Sequence, residues 1–343
     1  MADISSLLRN NIRSLTPYSS ARDEYKGGEA VFLDANENPY NSPINRYPDP
    51  LQTKLKNRIS EIKEVAAENI FLGNGSDEAI DLLIRAFCEP GEDNVLAIKP
   101  TYGMYKVCAD INGVEYRESL LNEHFQVNVQ QLADLADSHS KLMFLCSPNN
   151  PTSNSLDASD ILRLVRQFRG LVILDEAYID FSIHPSLSAQ LKSYSNLVIL
   201  QTFSKAWGMA GIRLGMAFAD VEIVRVLNRI KYPYNINILT QQVALEQLNI
   251  TENKDKWVSR ILEQRQLLNS QLGRFSIVKN ILPCDANFLM VRFEDPKKVF
   301  DYLIGKKIIV RDRSKVTLCE GYLRVTVGTP EENRMLINAL NEY

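Results

Sequence analysis

Apolar positions along the chain change their period several times, and each change marks an element. Leu51, Leu55, Ile59 and Ile62 recur at helical spacing and predict a first amphipathic helix. Asn69-Ile-Phe-Leu-Gly-Asn-Gly-Ser-Asp77 follows as a short strand breaking into a glycine turn. Ile80, Leu83, Ile84 and Phe87 then mark a helix that starts near Asp77 and is ended by Pro90-Gly91. From there strands and helices alternate. Val95–Ile98 and Lys141–Cys146 read as strands, and Ile161, Leu162, Val165 and Phe168 as one face of a helix. Leu171–Leu174 and Leu197–Leu200 are short unbroken apolar runs, expected of strands buried on both faces. Alternation of this kind predicts an α/β fold with a mainly parallel central sheet and helices on both of its faces.

The pattern changes after Tyr232-Pro-Tyr-Asn235. A helical stretch is expected from about Leu239 through Leu272. After it come a strand at Asn287–Phe293, a helix at Pro296–Leu303, strands at Ile308–Arg311 and Tyr322–Val327, and a last helix from Glu331. Separated strands and helices suit a smaller α+β domain. Residues 1–28 carry no long period and read as an arm that packs with the small domain and with a partner chain. The division expected is therefore an arm over 1–28, a large domain over 29–245 and a small domain over 246–343, with the boundary inside the long helical stretch.

Composition narrows the function classes. The chain has 343 residues, enough for two domains, and its 45% hydrophobic and 24% charged residues are ordinary for a globular enzyme. The net charge of −3 gives no global attraction to nucleic acid or to an anionic membrane, so any bound anion must be held locally. The five cysteines are odd in number, widely spaced and without a CxxC, which argues for buried free thiols and against a disulfide framework or a zinc site. The three histidines show no metal-ligand spacing, and no metal is expected. With neither a signal peptide nor a membrane-spanning run in view, a cytoplasmic location is the expectation.

Candidate chemistry sits at strand ends, where open parallel sheets bind ligands. Cys146-Ser-Pro-Asn-Asn-Pro-Thr152 ends one strand, Asp175-Glu-Ala-Tyr178 the next and Thr202-Phe-Ser-Lys205 a third. Taken one at a time each has an ordinary explanation: a solvated lysine, a turn-capping aspartate, an Asn-Pro turn, a surface salt bridge for Arg213. Taken together they are more specific. Gly75, Ser76 and Asp77 offer backbone N–H groups at a helix start, which is an anion site. Ser204 and Arg213 add a hydroxyl and a guanidinium fork suited to phosphate. Asp175 is a carboxylate able to pair with a pyridinium nitrogen, and Lys205 is an amine able to trap a carbonyl. A phosphate cradle, a pyridinium partner and a Schiff-base lysine are the protein groups that pyridoxal 5'-phosphate requires.

Pro148-Asn-Asn-Pro-Thr152, Asp175-Glu-Ala-Tyr178 and Ser204-Lys-Ala-Trp-Gly-Met-Ala-Gly-Ile-Arg213-Leu-Gly resemble the fold-type-I, pyridoxal-phosphate-dependent aminotransferases. Leu15-Thr-Pro-Tyr18, Leu33-Asp-Ala-Asn-Glu-Asn-Pro39, Arg46-Tyr-Pro48, Pro100-Thr-Tyr-Gly-Met-Tyr105, Ile309-Val-Arg-Asp312 and Leu323-Arg-Val-Thr-Val-Gly328 extend the resemblance to the histidinol-phosphate aminotransferase family, along nearly the whole chain. One departure stands out: Ser153 follows Asn-Pro-Thr where the superfamily usually has glycine.

The resemblance implies roles. Lys205 attaches the cofactor and then shuttles the substrate proton, and Asp175 keeps the ring nitrogen protonated. Tyr178 and Asn150 bond the ring hydroxyl oxygen, and Tyr102 stacks on the ring. Gly75, Ser76, Asp77, Ser204 and Arg213 hold the phosphate, with Tyr47 reaching it from the other subunit of a homodimer. Arg311 and Arg324 hold the substrate phosphate or the carboxylate of glutamate, and Tyr18 on the arm closes the site. The implied reaction converts L-histidinol phosphate and 2-oxoglutarate to imidazole-acetol phosphate and L-glutamate, by a ping-pong cycle within histidine biosynthesis. Rivals on the same fold are an aromatic amino-acid aminotransferase and a threonine-phosphate decarboxylase. A cofactor-binding regulator would need an added DNA-binding domain, for which no segment is spare. A cofactor-free Schiff-base lyase would need neither the phosphate cradle nor Asp175.

Overall fold

A computed structural model describes residues 4–18 and 30–343. Seven strands form the main sheet: β1 (Ile70–Asn74), β2 (Asn94–Lys99), β3 (Glu115–Leu120), β4 (Ser140–Cys146), β5 (Leu171–Asp175), β6 (Leu197–Thr202) and β7 (Leu214–Phe218). Their order is β1-β7-β6-β5-β4-β2-β3. The pairs β6/β5, β5/β4, β4/β2 and β2/β3 are parallel, whereas β7 runs antiparallel to both β6 and β1. Strands β1, β4, β5 and β6 therefore end on one edge of the sheet, and β7 begins there.

Side chains alternate between two cores, as a two-sided sheet requires. Leu72, Met143, Val172, Leu174, Ile199 and Met216 enter one core. Phe71, Phe144, Ile173, Val198 and Ala217 enter the other. This dual burial explains the unbroken apolar runs of β5 and β6, where nearly every residue is fully buried. Edge strand β3 (Glu-Tyr-Arg-Glu-Ser-Leu) is half solvated and carries no such signature.

A second sheet lies wholly within the C-terminal part. Strands β8 (Val278–Ile281), β9 (Phe288–Phe293), β10 (Arg311–Asp312) and β11 (Tyr322–Thr326) form an antiparallel sheet of order β10-β11-β9-β8. Leu289, Val291, Leu323 and Val325 pack with Leu268, Leu336 and Leu340 of flanking helices. The helical stretch expected from 239 to 272 is two helices, Ile238–Leu248 and Thr251–Leu272, separated at Asn249-Ile250. The strand expected at Ile308–Arg311 is displaced to Arg311–Asp312.

The start of the arm has a definite place. Ile4, Leu8 and Ile12 are buried in the same core as the helix Ser76–Phe87. Arg9 bonds there too, its N–H to the Ala86 carbonyl at 3.1 Å and its guanidinium to Glu89 at 3.3 Å. This segment packs on the main sheet's helices and not on the small sheet, with Ile4, Leu8 and Ile12 all entering that core. Residues 1–3 and 19–28 of the expected arm lie outside the described residues. All five cysteines are free thiols, and among the described residues no helix is long and apolar enough to cross a membrane.

Candidate active site

A cavity of about 370 Å³ opens on the edge where β1, β4, β5 and β6 end, and the small sheet supplies its outer wall. It is lined by Gly75, Ser76, Asp77, Tyr102, Asn150, Asp175, Tyr178, Ser204, Lys205, Arg213, Arg311 and Arg324, all of them anticipated from the sequence. The parallel strand ends explain much of the convergence, since the loops leaving β4, β5 and β6 carry Asn150, Asp175–Tyr178 and Ser204-Lys205 to one edge, where Arg213 enters β7.

Asp175 closes β5 and is 3% exposed. Its Oδ2 accepts the Tyr105 hydroxyl at 2.7 Å and its Oδ1 accepts the Ala177 N–H at 3.0 Å. Burial pushes its carboxyl up to about 6, against the two hydrogen bonds that pull it down. Lys205 is the nearby cation that acts on it, but no ion pair closes on the carboxylate, and a protonated ring nitrogen would supply a direct partner. Sequence reasoning assigns Tyr105 no role. It lies three residues beyond Tyr102, at the start of the helix Met104–Ile111, fully buried and stacked on Phe144 with ring centroids 4.8 Å apart.

Lys205 follows β6 and is half-buried. Its Nζ stands 5.4 Å from the centre of the Tyr178 ring. Burial lowers its pKa, and Arg324 lowers it further. A larger share of neutral amine at physiological pH follows, as a carbonyl-trapping lysine needs. The approach to Lys205 is fixed by Thr202, whose Oγ1 accepts the Ser204 N–H at 3.1 Å.

The phosphate cradle is built on three local features. The helix Ser76–Phe87 starts at Gly75 (φ +73°) with no side-chain cap, so the first-turn amides of Ser76 and Asp77 have no intrahelical acceptor. Arg213 enters β7 in the left-handed region (φ +55°), with Nη1 at 3.5 Å from Ser204 Oγ and Nη2 at 3.6 Å from Asp77. One expectation is corrected. The Gly75 N–H is spent on the Arg213 carbonyl at 2.9 Å, so Gly75 gives shape, not a donor. A Cβ at Gly75 would meet Arg213 Nη2 at 2.8 Å.

Gly215 is a second shape determinant. An added Cβ would lie 2.2 Å from the Ser76 nitrogen and 2.3 Å from the Gly75 carbonyl carbon, both backbone atoms that cannot give way. Gly215→Ala is expected to cost about 3 kcal/mol of stability and to weaken phosphorylated-cofactor binding by ~100-fold. Urea unfolding and an absorbance titration measure the two. Gly211→Ala, where an added Cβ meets nothing within 4 Å, is the control, expected within about 0.5 kcal/mol of the parent.

Asn150 and Tyr178 link the two sheets. Asn150 Oδ1 accepts from Arg324 Nη1 at 2.6 Å, and its Nδ2 stands 3.5 Å from the Tyr178 hydroxyl. Tyr102 lines the cavity, gives its hydroxyl hydrogen to Asp77 Oδ1 at 3.1 Å and meets Tyr105 edge-on. Ser153 takes the conformation that a glycine would take there, φ +68°. Its hydroxyl lies 2.6 Å from the Thr152 carbonyl and 3.1 Å from that of Pro283, and its own carbonyl accepts the Asp285 N–H. These bonds offset a left-handed backbone worth roughly 1–2 kcal/mol.

Two expected residues are not brought to this cavity. Tyr18 is 72% exposed and Tyr47 is 49% exposed, and neither lines it. Tyr47 instead stacks on Tyr234 with centroids 4.4 Å apart. In the other direction, Arg313 lines the cavity and was not anticipated. Counting by two along the strand from Arg311 would have found it, since alternate residues share a face.

Comparison with known proteins agrees with this geometry. The chain is 57% identical over its full length to a protein of Bacteroides fragilis named histidinol-phosphate aminotransferase, and covers 100% of that protein. It superposes on the solved histidinol-phosphate aminotransferase of Clostridium acetobutylicum with a TM-score of 0.80 at 25% identity, covering 87% of this chain and 90% of the other. The enzyme of that name from Sinorhizobium meliloti, solved in complex with pyridoxal-5'-phosphate, gives 0.79 at 20% identity over 87% and 82% of the two chains, a likeness of fold. The family model described as aminotransferase class I and II matches residues 23–340, and the chain belongs to that family.

Proposed function

We propose that this aminotransferase moves an amino group from L-histidinol phosphate to 2-oxoglutarate, with pyridoxal 5'-phosphate held in the cavity described above. The observation that carries the reading is the meeting of Lys205 and buried Asp175 with the arginines of the small sheet in one cavity. The substrate is suggested by the full-length relatives that bear the histidinol-phosphate name.

The residues present fit the cofactor. Ser76 and Asp77 amides, Ser204 and Arg213 would hold its phosphate, Asp175 its ring nitrogen, Asn150 and Tyr178 its ring oxygen, and Tyr102 its face. When bound, the ring withdraws electrons and makes the substrate α-hydrogen acidic. Asp175, held by Tyr105 and the Ala177 amide, keeps a proton on the ring nitrogen. Lys205 Nζ lifts the proton from the α-carbon and returns it during transfer, as its lowered pKa allows. Arg324, anchored by Asn150, orients the substrate anion. The protein acts as a homodimer in this reading, with Tyr47 and Tyr18, both surface-exposed, serving the partner's site. Cofactor and Lys205 belong to a large domain over 29–245, the arginines to a small one over 246–343.

A substrate panel tests the proposal. Holoenzyme with 2-oxoglutarate is expected to show a kcat/KM for histidinol phosphate at least ~100-fold above that for phenylalanine, because a carboxylate leaves more of the clustered guanidinium charge uncompensated than a phosphate monoester does. A preference for phenylalanine, or release of carbon dioxide from threonine phosphate, would contradict it.

A further inference from the structure

Three guanidinium groups share the outer wall of the cavity: Arg311, Arg313 and Arg324. Arg311 faces Arg324 across the β10/β11 pair. Arg313 continues that ladder through its N–H to the Tyr322 carbonyl at 3.0 Å. The carboxylate between them is already engaged, since Asp312 Oδ1 accepts the Ser314 N–H at 2.8 Å and its hydroxyl at 2.6 Å. Among the described residues Arg313 forms no ion pair with a carboxylate. Burial and the two neighbouring cations disfavour its charge. Its Nε is buried without a hydrogen-bond acceptor.

The three arginines differ in what they can give. Arg324 is engaged by Asn150 and lies over the Phe288 ring at 5.2 Å, so it is fixed for any anion. Arg311 is exposed to solvent, which screens its charge. Arg313 is half-buried, where a charge-assisted bond is stronger. The reaction proposed above presents two different anions to this wall in turn. A phosphate monoester brings nearly two negative charges and three terminal oxygens, a carboxylate one charge and two oxygens. Against three clustered cations a carboxylate leaves two charges uncompensated, a phosphate only one.

We infer that Arg313 is the specificity determinant that distinguishes a phosphate monoester from a carboxylate in this site, an assignment that rests on the proposed function and names the group selecting its substrate class. Arg324 serves both anions; Arg313 supplies the additional fork that only the phosphate fills.

The test uses two amine-free probes of equal body, 2-phenylethyl phosphate and 3-phenylpropionate, titrated calorimetrically into cofactor-loaded protein. Arg313→Gln is expected to weaken the phosphate probe by about 10- to 100-fold and the carboxylate probe by less than about 3-fold. Arg313→Lys, which keeps the charge and loses the planar fork, is expected to fall between parent and Arg313→Gln. Equal losses for both probes, or no loss for the phosphate, overturn the assignment. Should Arg313→Gln fail to hold cofactor, Arg313→Lys carries the test: a fall of at least ~3-fold in the phosphate-to-carboxylate affinity ratio supports it and an unchanged ratio overturns it. Neither probe is turned over, so failure of histidinol phosphate as a substrate would overturn the proposed reaction and leave this comparison independently readable.

Discussion

Lys205→Ala is expected to lower kcat for transamination by at least about 10⁴-fold, since it removes both the covalent anchor and the proton shuttle. Cofactor binding should suffer far less. The first-turn amides of Ser76 and Asp77, the Ser204 hydroxyl, the Arg213 fork and Asp175 are all untouched by the change. Lys205→Arg should not rescue turnover, because a guanidinium does not lose its proton and cannot serve as the nucleophile or base. Single-turnover absorbance with histidinol phosphate measures the rate, and a cofactor titration measures the binding. Turnover near the parental rate would remove Lys205 from the chemistry.

Asp175→Asn is expected to separate activity from stability. In the cofactor-free protein burial holds the carboxyl up to about 6, against about 3.9 in an unfolded chain. Between those values the folded state binds more protons than the unfolded state, so stability falls as pH rises through roughly 4 to 6. Above that window the ionised group costs on the order of 3 kcal/mol. Asparagine has no charge to bury; its Oδ1 can still accept the Ala177 N–H, and its Nδ2 can donate to the Tyr105 hydroxyl oxygen in place of the bond that the carboxylate accepts. The cofactor-free variant should therefore be more stable than the parent by about 1–3 kcal/mol at pH 7.5, with the difference closing near pH 4. Its kcat should fall on the order of 10³-fold, because nothing then keeps the ring nitrogen protonated. Urea unfolding across pH, with steady-state kinetics, checks both halves. A cofactor-free variant that is less stable at pH 7.5 would mean that Asp175 is not a strained buried charge.

The parts of the molecule legible in the sequence were those in which one force dominates. Strands β5 and β6 announce themselves because both faces are buried, which makes their first four positions an unbroken apolar run. The cradle and Lys205 are legible because their residue types have few other uses in that combination. Strand β3 escaped because its edge position leaves it polar. Strand β7 escaped because Leu-Gly-Met-Ala-Phe is short and carries the glycine that the neighbouring backbone demands. The break between the helices Ile238–Leu248 and Thr251–Leu272 has no proline or glycine to mark it. Arg313 was missed since the expected strand ended at Arg311, two residues before it, and the alternation that would have placed it beside Arg311 was never extended. Tyr105 looked like one more core aromatic; only its hydroxyl, directed at Asp175, distinguishes it. Tyr18 and Tyr47 have no place in a site built from one chain, and assignment of a role to them needs a second copy.

The central claim is that Lys205 carries the cofactor, and trapping that bond tests it most directly. Protein loaded with pyridoxal 5'-phosphate is reduced with borohydride, digested and mapped by mass spectrometry. The account predicts loss of the visible absorption band and a phosphopyridoxyl group on Lys205 alone. Label on a different lysine, or no label with the band intact, would contradict it.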